Sequence, residues 1–468
     1  MLYNPISCRW VVVMRKKAYK KLKSIFKDRY LDEKIDTIQY AYDATQKMYP
    51  PDVVIFPKTT EEVSQAMKIA YKYSIPVVPR GWGSGFSGGA LNIDGGICMS
   101  LELMNKVIEI DDDNLIATVE AGLVNYELQE ILKPHGLFFP PDPSSWKFST
   151  IGGNIAENAG GPRAVKYGVM KDWVMGLEFV LADGSIIHSG SKNVKDVAGY
   201  NITHLIVGSE GTLAVVTKAL LKLYPVPKYK KTMQIVFDDM SRAAQTVSSI
   251  IKNKIIPTSI EFIDRDAIKT VESALHIGLP KADAILVIEV DGDLCSVDES
   301  VNKIEMLCKQ GGAVNFQVAQ DEKEADELWI ARRSISPTLK RIADGKLNED
   351  IVVPRSKLAE MIKLSQDISK KYNLSIVNFG HAGDGNIHVN IMYHTDKKDE
   401  VEKADKAMND IFDACLSLGG TISGEHGIGI TKDAFLEKQL GQRSIKLFKD
   451  IKKAFDPKNI INPHKMKL

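Results

Sequence analysis

Hydrophobic and polar positions in this chain switch between a helical period and a strand period, and the switches mark its elements. Behind Thr59-Thr60-Glu61-Glu62, the apolar residues Val63, Ala66, Met67 and Ala70 recur at i, i+3, i+4 and i+7, which predicts a helix opened by a capping box and running to about Tyr73. Ile75–Val78 and Ile97–Leu101 are short apolar runs that predict buried strands. After Tyr224-Pro225-Val226-Pro227 the patterns alternate. Thr232–Phe237 and Ala284–Val290 read as strands, Met240–Lys252 and Asp298–Gln310 as helices, and Ala313–Ala319 as extended chain. Ser375–Phe379 and Ile387–Met392 read as strands, with His388 and Asn390 on one face and Ile387, Val389 and Ile391 on the other. Leu205–Val207 and Leu213 flank a glycine-bounded turn between apolar strands, and Gly419–Gly424 reads as a glycine-bounded strand.

Near the start, Ala18, Leu22, Ile25 and Phe26 share one helical face while Lys16, Lys20, Lys23 and Lys27 crowd the other. Such a helix either lies on an anionic membrane surface or docks on its own protein. Trp10–Val13 is too short an apolar stretch for a signal-peptide core and has no small-residue cleavage site behind it, so Met1–Val13 reads as an extension upstream of a start at Met14.

The 468 residues are too many for one ordinary core, so several domains are expected. The pattern change after Tyr224–Pro227 places one boundary there, and the chain is read as 1–45 (a helical segment), 46–225, 226–424 and 425–468, the last a segment that the resemblance given below implies. A net charge of +1 gives no field to attract nucleic acid. The cysteines Cys8, Cys98, Cys295, Cys308 and Cys415 form no C-x-x-C pair, which excludes a sequence-local iron–sulfur or structural zinc site and suits a reducing, cytoplasmic setting. No apolar run reaches the roughly 18 residues a membrane span needs.

Two glycine-rich regions point to an anionic cofactor. Pro79-Arg80-Gly81-Trp82-Gly83-Ser84-Gly85-Phe86-Ser87-Gly88-Gly89 can aim several backbone N–H groups at one anion, with the Ser84 and Ser87 hydroxyls beside them. Gly83, Gly85 and Gly88 satisfy G-x-G-x-x-G, yet no helix follows, because Asp94-Gly95-Gly96 breaks the chain before the next strand. A Rossmann loop is therefore rejected. Further on, Gly152, Gly153, Gly160 and Gly161 flank a short helical segment that carries Asn154 and Asn158 on one side. Small residues there leave room for a flat ring or a diphosphate.

A third constellation concerns metal and protons. Gly380-His381-Ala382-Gly383-Asp384-Gly385-Asn386-Ile387-His388 can fold His381 back near His388 across a tight turn, and Glu425 adds a carboxylate. Two histidines and a carboxylate suit Zn, Fe(II) or Mn(II) without choosing among them. His426, directly after a ligand, is suited to proton removal. Glu327-Leu328-Trp329-Ile330-Ala331-Arg332-Arg333 offers guanidinium groups for a carboxylate or for surface pairing.

Taken together, Pro79–Ala90, Pro141–Ser145, Thr150–Gly161 and Gly208–Leu213 resemble the flavin-binding segments of the vanillyl-alcohol oxidase (PCMH) type fold. From about Tyr40 to Met466 the chain is similar to the FAD-linked glycolate oxidase subunit and D-lactate dehydrogenase family. The resemblance implies an α+β protein: a two-subdomain FAD-binding domain, a substrate-binding α/β cap with an open, mainly antiparallel sheet, and a C-terminal segment returning to the FAD domain. It implies FAD held by Arg80, Gly81, Trp82, Gly83, Ser84, Gly85, Ser87, Pro141, Asp142, Ser145, Gly152, Gly153, Asn154, Asn158, Gly160, Gly161, Glu210, Gly211 and Asn462. No histidine lies in the phosphate loop for a covalent link there, so non-covalent flavin is expected. Trp82 stands where the family commonly has glycine and is expected to narrow the nest. The resemblance further assigns His381, His388 and Glu425 to a divalent metal and Arg332 to the substrate carboxylate, with Ser336, Lys346 and Asn386 assisting.

The implied reaction is oxidation of D-lactate, glycolate or D-2-hydroxyglutarate by hydride transfer to flavin, with His426 as base. An electron-transferring flavoprotein, iron–sulfur subunit, cytochrome or quinone would accept the electrons. The alternatives left open are an electron-relay subunit and a metallohydrolase, and a homodimer and a peripheral membrane contact are both compatible with the sequence.

Overall fold

The computed structural model describes residues 5–468, and side chains from Arg15 onward. The reading of Met1–Val13 as an upstream extension concerns side chains outside the described residues. The chain divides into two compact units, one comprising Met1–Ala159, Val169–Val226 and Glu425–Leu468, the other Gly160–Gly168 and Pro227–Gly424. The N-terminal segment 1–45 thus belongs to the first unit rather than standing apart, and Gly160 and Gly161 belong to the second.

Among the described residues the first unit holds three sheets, the smallest pairing Leu137–Phe138 with Tyr224–Pro225. Val53–Ile55, Ile97–Ser100 and Val77–Arg80 run parallel, with Tyr30–Leu31 antiparallel at the edge. A five-stranded antiparallel sheet follows in the order Val107–Asp111, Ile116–Glu120, Val215–Lys222, Val174–Val180, Ile186–Gly190. The helix Thr60–Tyr73 begins where its capping signal stands, with Thr59 accepting from the Glu62 N–H. Glu62 reaches back to the Lys58 N–H and pairs with Arg29. Along the helix Pro5–Phe26, Ala18, Leu22 and Phe26 are fully buried, and the helix packs on Thr60–Tyr73. Its apolar face at Ala18, Leu22 and Phe26 is therefore docked on its own unit. Leu205–Val207 is also corrected: Asn201 caps a short helix, Ile202–Ile206, where a strand was expected.

In the second unit seven strands form one antiparallel sheet in the order Asn315–Val318, Tyr229–Phe237, Ala284–Gly292, Ser259–Asp264, Ser375–His381, Asn386–Tyr393, Gly345–Val352. Its core gathers Ile263, Val271, Ile285, Val287, Ile335, Val377 and Phe379 between sheet and helices. Gly419–Gly424 makes one bridge, Thr421 with Val352, rather than a strand. No helix among the described residues is long and apolar enough to cross a membrane.

Candidate functional site

In the first unit, the strand Val77–Arg80 delivers the chain into an irregular loop. None of the N–H groups from Gly81 to Ala90 donates to a partner among the described residues, although Ser87 and Gly88 are buried. Backbone N–H groups kept out of the protein's own hydrogen bonding are what a diphosphate would engage. The glycines allow close approach: a Cβ on Gly83, at φ +65°, would fall inside the Arg80 guanidinium, and one on Gly81 inside Thr150. Arg80 itself is 6% exposed and donates to the carbonyls of Tyr42 and Ala90. It braces the loop from beneath rather than reaching for an anion. Trp82 is 55% exposed.

The short helix Ile151–Glu157 is capped by Thr150, which accepts from Gly153. Asn158 ends it in the left-handed conformation, with its side-chain oxygen accepting from the Lys171 N–H, so Asn158 works as a cap. Asn154, 3% exposed, has a side-chain nitrogen with no hydrogen-bond partner, which keeps it a cofactor candidate. Pro141 accepts from Asn125 and Ser145 accepts from Ser149, which fixes the turn between them. Glu210 spends both carboxylate oxygens on the N–H groups of Ile428 (2.7 Å) and Gly429 (2.6 Å). Burial raises its pKa, and these two bonds oppose the rise. Asn462 donates to the carbonyls of Gly89 and Glu210. These two residues, expected at the cofactor, staple the C-terminal segment to the loop of their own unit. That segment holds His426, whose ring packs on Phe86 at 4.9 Å between centroids and lies 4.0 Å from the Glu425 carboxylate. Sequence reasoning passed over Phe86.

In the second unit, the strands Ser375–His381 and Asn386–Tyr393 form a hairpin that turns through Gly385 at φ +86°, where a Cβ would lie 2.1 Å from the Val353 carbonyl. The hairpin brings His381 and His388 to 5.1 Å between ring centroids, both buried. Glu425 is peptide-bonded to Gly424, the last residue of this unit. The Gly424 N–H is held 2.9 Å from the Asp350 carboxylate, which also accepts from Ser423. Asp350 faces His388 in the strand register, so a fixed turn leads into Glu425. One donor atom from each of His381, His388 and Glu425 lies within 4.8 Å of the others, a set that fits a divalent cation. Asn386, expected at the substrate, donates to the Ile351 carbonyl, and its amide nitrogen would lie 2.4 Å from a Cβ on Gly424, so it supports that same turn.

Glu261, which the sequence reading missed, is fully buried on the strand Ser259–Asp264. One carboxylate oxygen lies 2.6 Å from His381 Nδ1 and the other accepts from Arg332 Nε at 2.6 Å. Desolvation raises its pKa, but the charges of His381 and Arg332 outweigh this and hold it below the ordinary value. A lone acid in an apolar run, Ile260-Glu261-Phe262, was the available signal. Arg332 also stacks on Phe379, 4.7 Å to the ring centroid. Ser336 lies one helical turn beyond it in Glu322–Thr338, and Lys346 Nζ is 3.4 Å from the Ser336 hydroxyl, so the structure brings these two together. Burial pushes the Lys346 pKa down, and the charge of Lys340 adds to this.

The first unit's mixed sheets and the second unit's seven-stranded antiparallel sheet carry the fold of the PCMH-type FAD oxidases. The whole chain superposes on p-cresol methylhydroxylase with substrate bound at a TM-score of 0.80, 17% identity and 97% coverage of each chain, a likeness of fold. The family described as "FAD binding domain" matches residues 51–190 and the one described as "FAD linked oxidases, C-terminal domain" matches 226–466. The chain is 47% identical over 441 residues to the glycolate oxidase subunit GlcD of Bacillus subtilis, covering 94% of each. It is 38% identical over 436 residues to a D-lactate dehydrogenase of Archaeoglobus fulgidus, covering 91% of this chain and 95% of that one. This chain belongs to the FAD-linked oxidase family, and it is an FAD-dependent oxidoreductase.

Proposed function

We propose that this protein is a dehydrogenase that oxidises a small 2-hydroxy acid to the 2-oxo acid. The observation that carries this reading is that Arg332 and His381 reach the same buried carboxylate, Glu261. A carboxylate-binding side chain and a cation-binding one therefore stand side by side. A 2-hydroxy acid presents a carboxylate and a hydroxyl on adjacent carbons, and these two handles match that pair. The names of relatives in Bacillus subtilis and Archaeoglobus fulgidus support the same substrate class.

When bound, FAD would take the hydride from the α-carbon, and a divalent cation (Zn, Fe(II) or Mn(II)) would lower the pKa of the substrate hydroxyl. The N–H groups of Gly81–Ala90 would hold the diphosphate of the flavin, and His381, His388 and Glu425 would hold the cation. Arg332, anchored through Nε, offers its terminal nitrogens to the substrate carboxylate in a planar fork. Lys346 and Ser336 stand next to it. His426, held against Phe86, accepts the hydroxyl proton as the carbonyl forms. The electrons then leave for a separate acceptor: an electron-transferring flavoprotein, iron–sulfur subunit, cytochrome or quinone. The relative in Bacillus subtilis is named as a subunit, which supports such a partner.

Purified protein should be yellow, and acid precipitation should release the flavin into the supernatant. Anaerobic titration with glycolate, D-lactate and D-2-hydroxyglutarate should bleach the flavin with at least one of them. A colourless protein, or a flavin that none of the three bleaches, would refute the reading.

A further inference from the structure

We infer that Glu261 is a positioning residue that ties the affinity of the metal centre to the affinity for substrate. The inference deepens the function proposed above and rests on it. Glu261 pairs directly with His381 in the register of neighbouring strands, and Val287 flanks it on the opposite strand. Its side chain is sealed at 0% exposure, with one oxygen committed to each partner. An ionised carboxylate only accepts hydrogen bonds, so Nδ1 of His381 carries the proton and Nε2 is the nitrogen that a cation takes. The second oxygen takes Nε of Arg332 and holds the guanidinium over Phe379. The terminal nitrogens of the guanidinium have no hydrogen-bond partner among the described residues, which leaves them for a ligand. One carboxylate thus sets the tautomer of a metal ligand and the aim of the substrate clamp. Neither can move without disturbing the other.

The test is Glu261→Gln, which keeps the shape. A glutamine oxygen can accept from only one of the two partners, and its NH2 group confronts the other donor. The flavin-loaded protein is stripped of metal and titrated with Zn2+ or Mn2+ against a chromophoric chelator. The dissociation constant of the hydroxy acid is read separately from anaerobic flavin bleaching. Both affinities should fall, the cation's by about 10- to 100-fold and the hydroxy acid's by about 10-fold or more, with FAD stoichiometry unchanged. Should E261Q fail to fold, Glu261→Asp retains the charge but reaches one partner less well, and at least one affinity should drop. Wild-type affinities for both ligands in a folded variant would overturn the inference, as would loss of FAD in step with them. His381→Ala separates the two readings. If H381A binds the cation as wild type does, the metal centre itself is wrong. If H381A loses the cation while E261Q keeps wild-type affinities, only the role of Glu261 falls.

Discussion

Replacing Glu210 by Gln tests whether the turn that presents His426 is held from within its own unit. The buried carboxylate accepts from the N–H groups of Ile428 and Gly429, and the neighbouring Ile430 N–H donates to the Ser87 carbonyl at 2.8 Å. Hydrogen bonds to a charged acceptor contribute roughly 1.5–3 kcal/mol each. Glutamine keeps one acceptor, now neutral, and turns an NH2 group toward the other donor, which leaves that N–H unsatisfied. The expected loss is about 2–4 kcal/mol, or a fall in melting temperature of about 6–12 °C for a unit of this size. The turn carries Glu425 and His426, so kcat for the hydroxy acid should fall about 10-fold or more even at temperatures where the variant is folded. Differential scanning calorimetry reads the first quantity and steady-state turnover the second, with FAD content as the control. A variant that melts within about 1 °C of wild type and turns over normally would refute the assignment of Glu210 as the anchor of this turn.

His426→Asn should slow anaerobic flavin bleaching by about 10²- to 10⁴-fold while the hydroxy acid still binds; stopped-flow absorbance reads both, and bleaching at the wild-type rate sinks the proposed base. Gly385→Ala places a side chain at φ +86° and 2.1 Å from the Val353 carbonyl, so a loss of about 3 kcal/mol or more is expected in chemical denaturation, together with weaker cation binding. Lys465 is fully buried, and burial pushes its pKa down to about 8 against the pull of Asp43, Glu210 and Asp94. Below pH 8 it is charged in the folded and the unfolded chain alike. Between about pH 8 and the ordinary lysine value the folded chain releases the proton first, so stability rises with pH there, by on the order of 3 kcal/mol in total. Denaturant melts of wild type and Lys465→Met across this window should differ in slope, and equal slopes would show that the lysine is not so perturbed.

Much of the fold was legible along the chain. The helix at Thr60–Tyr73, the strands Tyr229–Phe237 and Ala284–Gly292, and the hairpin carrying His381 and His388 follow from local periodicity and glycine turns. The elements that misled are short. Leu205–Val207 is apolar enough for a strand, yet the Asn201 cap turns it into a helix end. Gly419–Gly424 has too few residues to pair beyond Thr421 with Val352.

By itself, the sequence determined the residue types that a chemistry needs and the local geometry that presents them: the glycines of Gly81–Gly89, the histidines on either side of the Gly383–Gly385 turn, and Arg332 at a helical spacing from Ser336. Only the tertiary structure decided which polar residues are taken up by the protein's own backbone. Arg80, Asn158, Glu210 and Asn462 carry groups that would suit a cofactor, but their partners are carbonyls and N–H groups of Tyr42, Lys171, Ile428 and Gly89. Glu261, one acid among apolar neighbours, gave no sign of a partner in the sequence; the register sets it against His381, 120 positions away. The physical reason is the same in each case. A buried polar group must find a partner, its type limits what that partner can be, and the pairing itself is fixed by strand register and chain return over separations that local patterns do not encode.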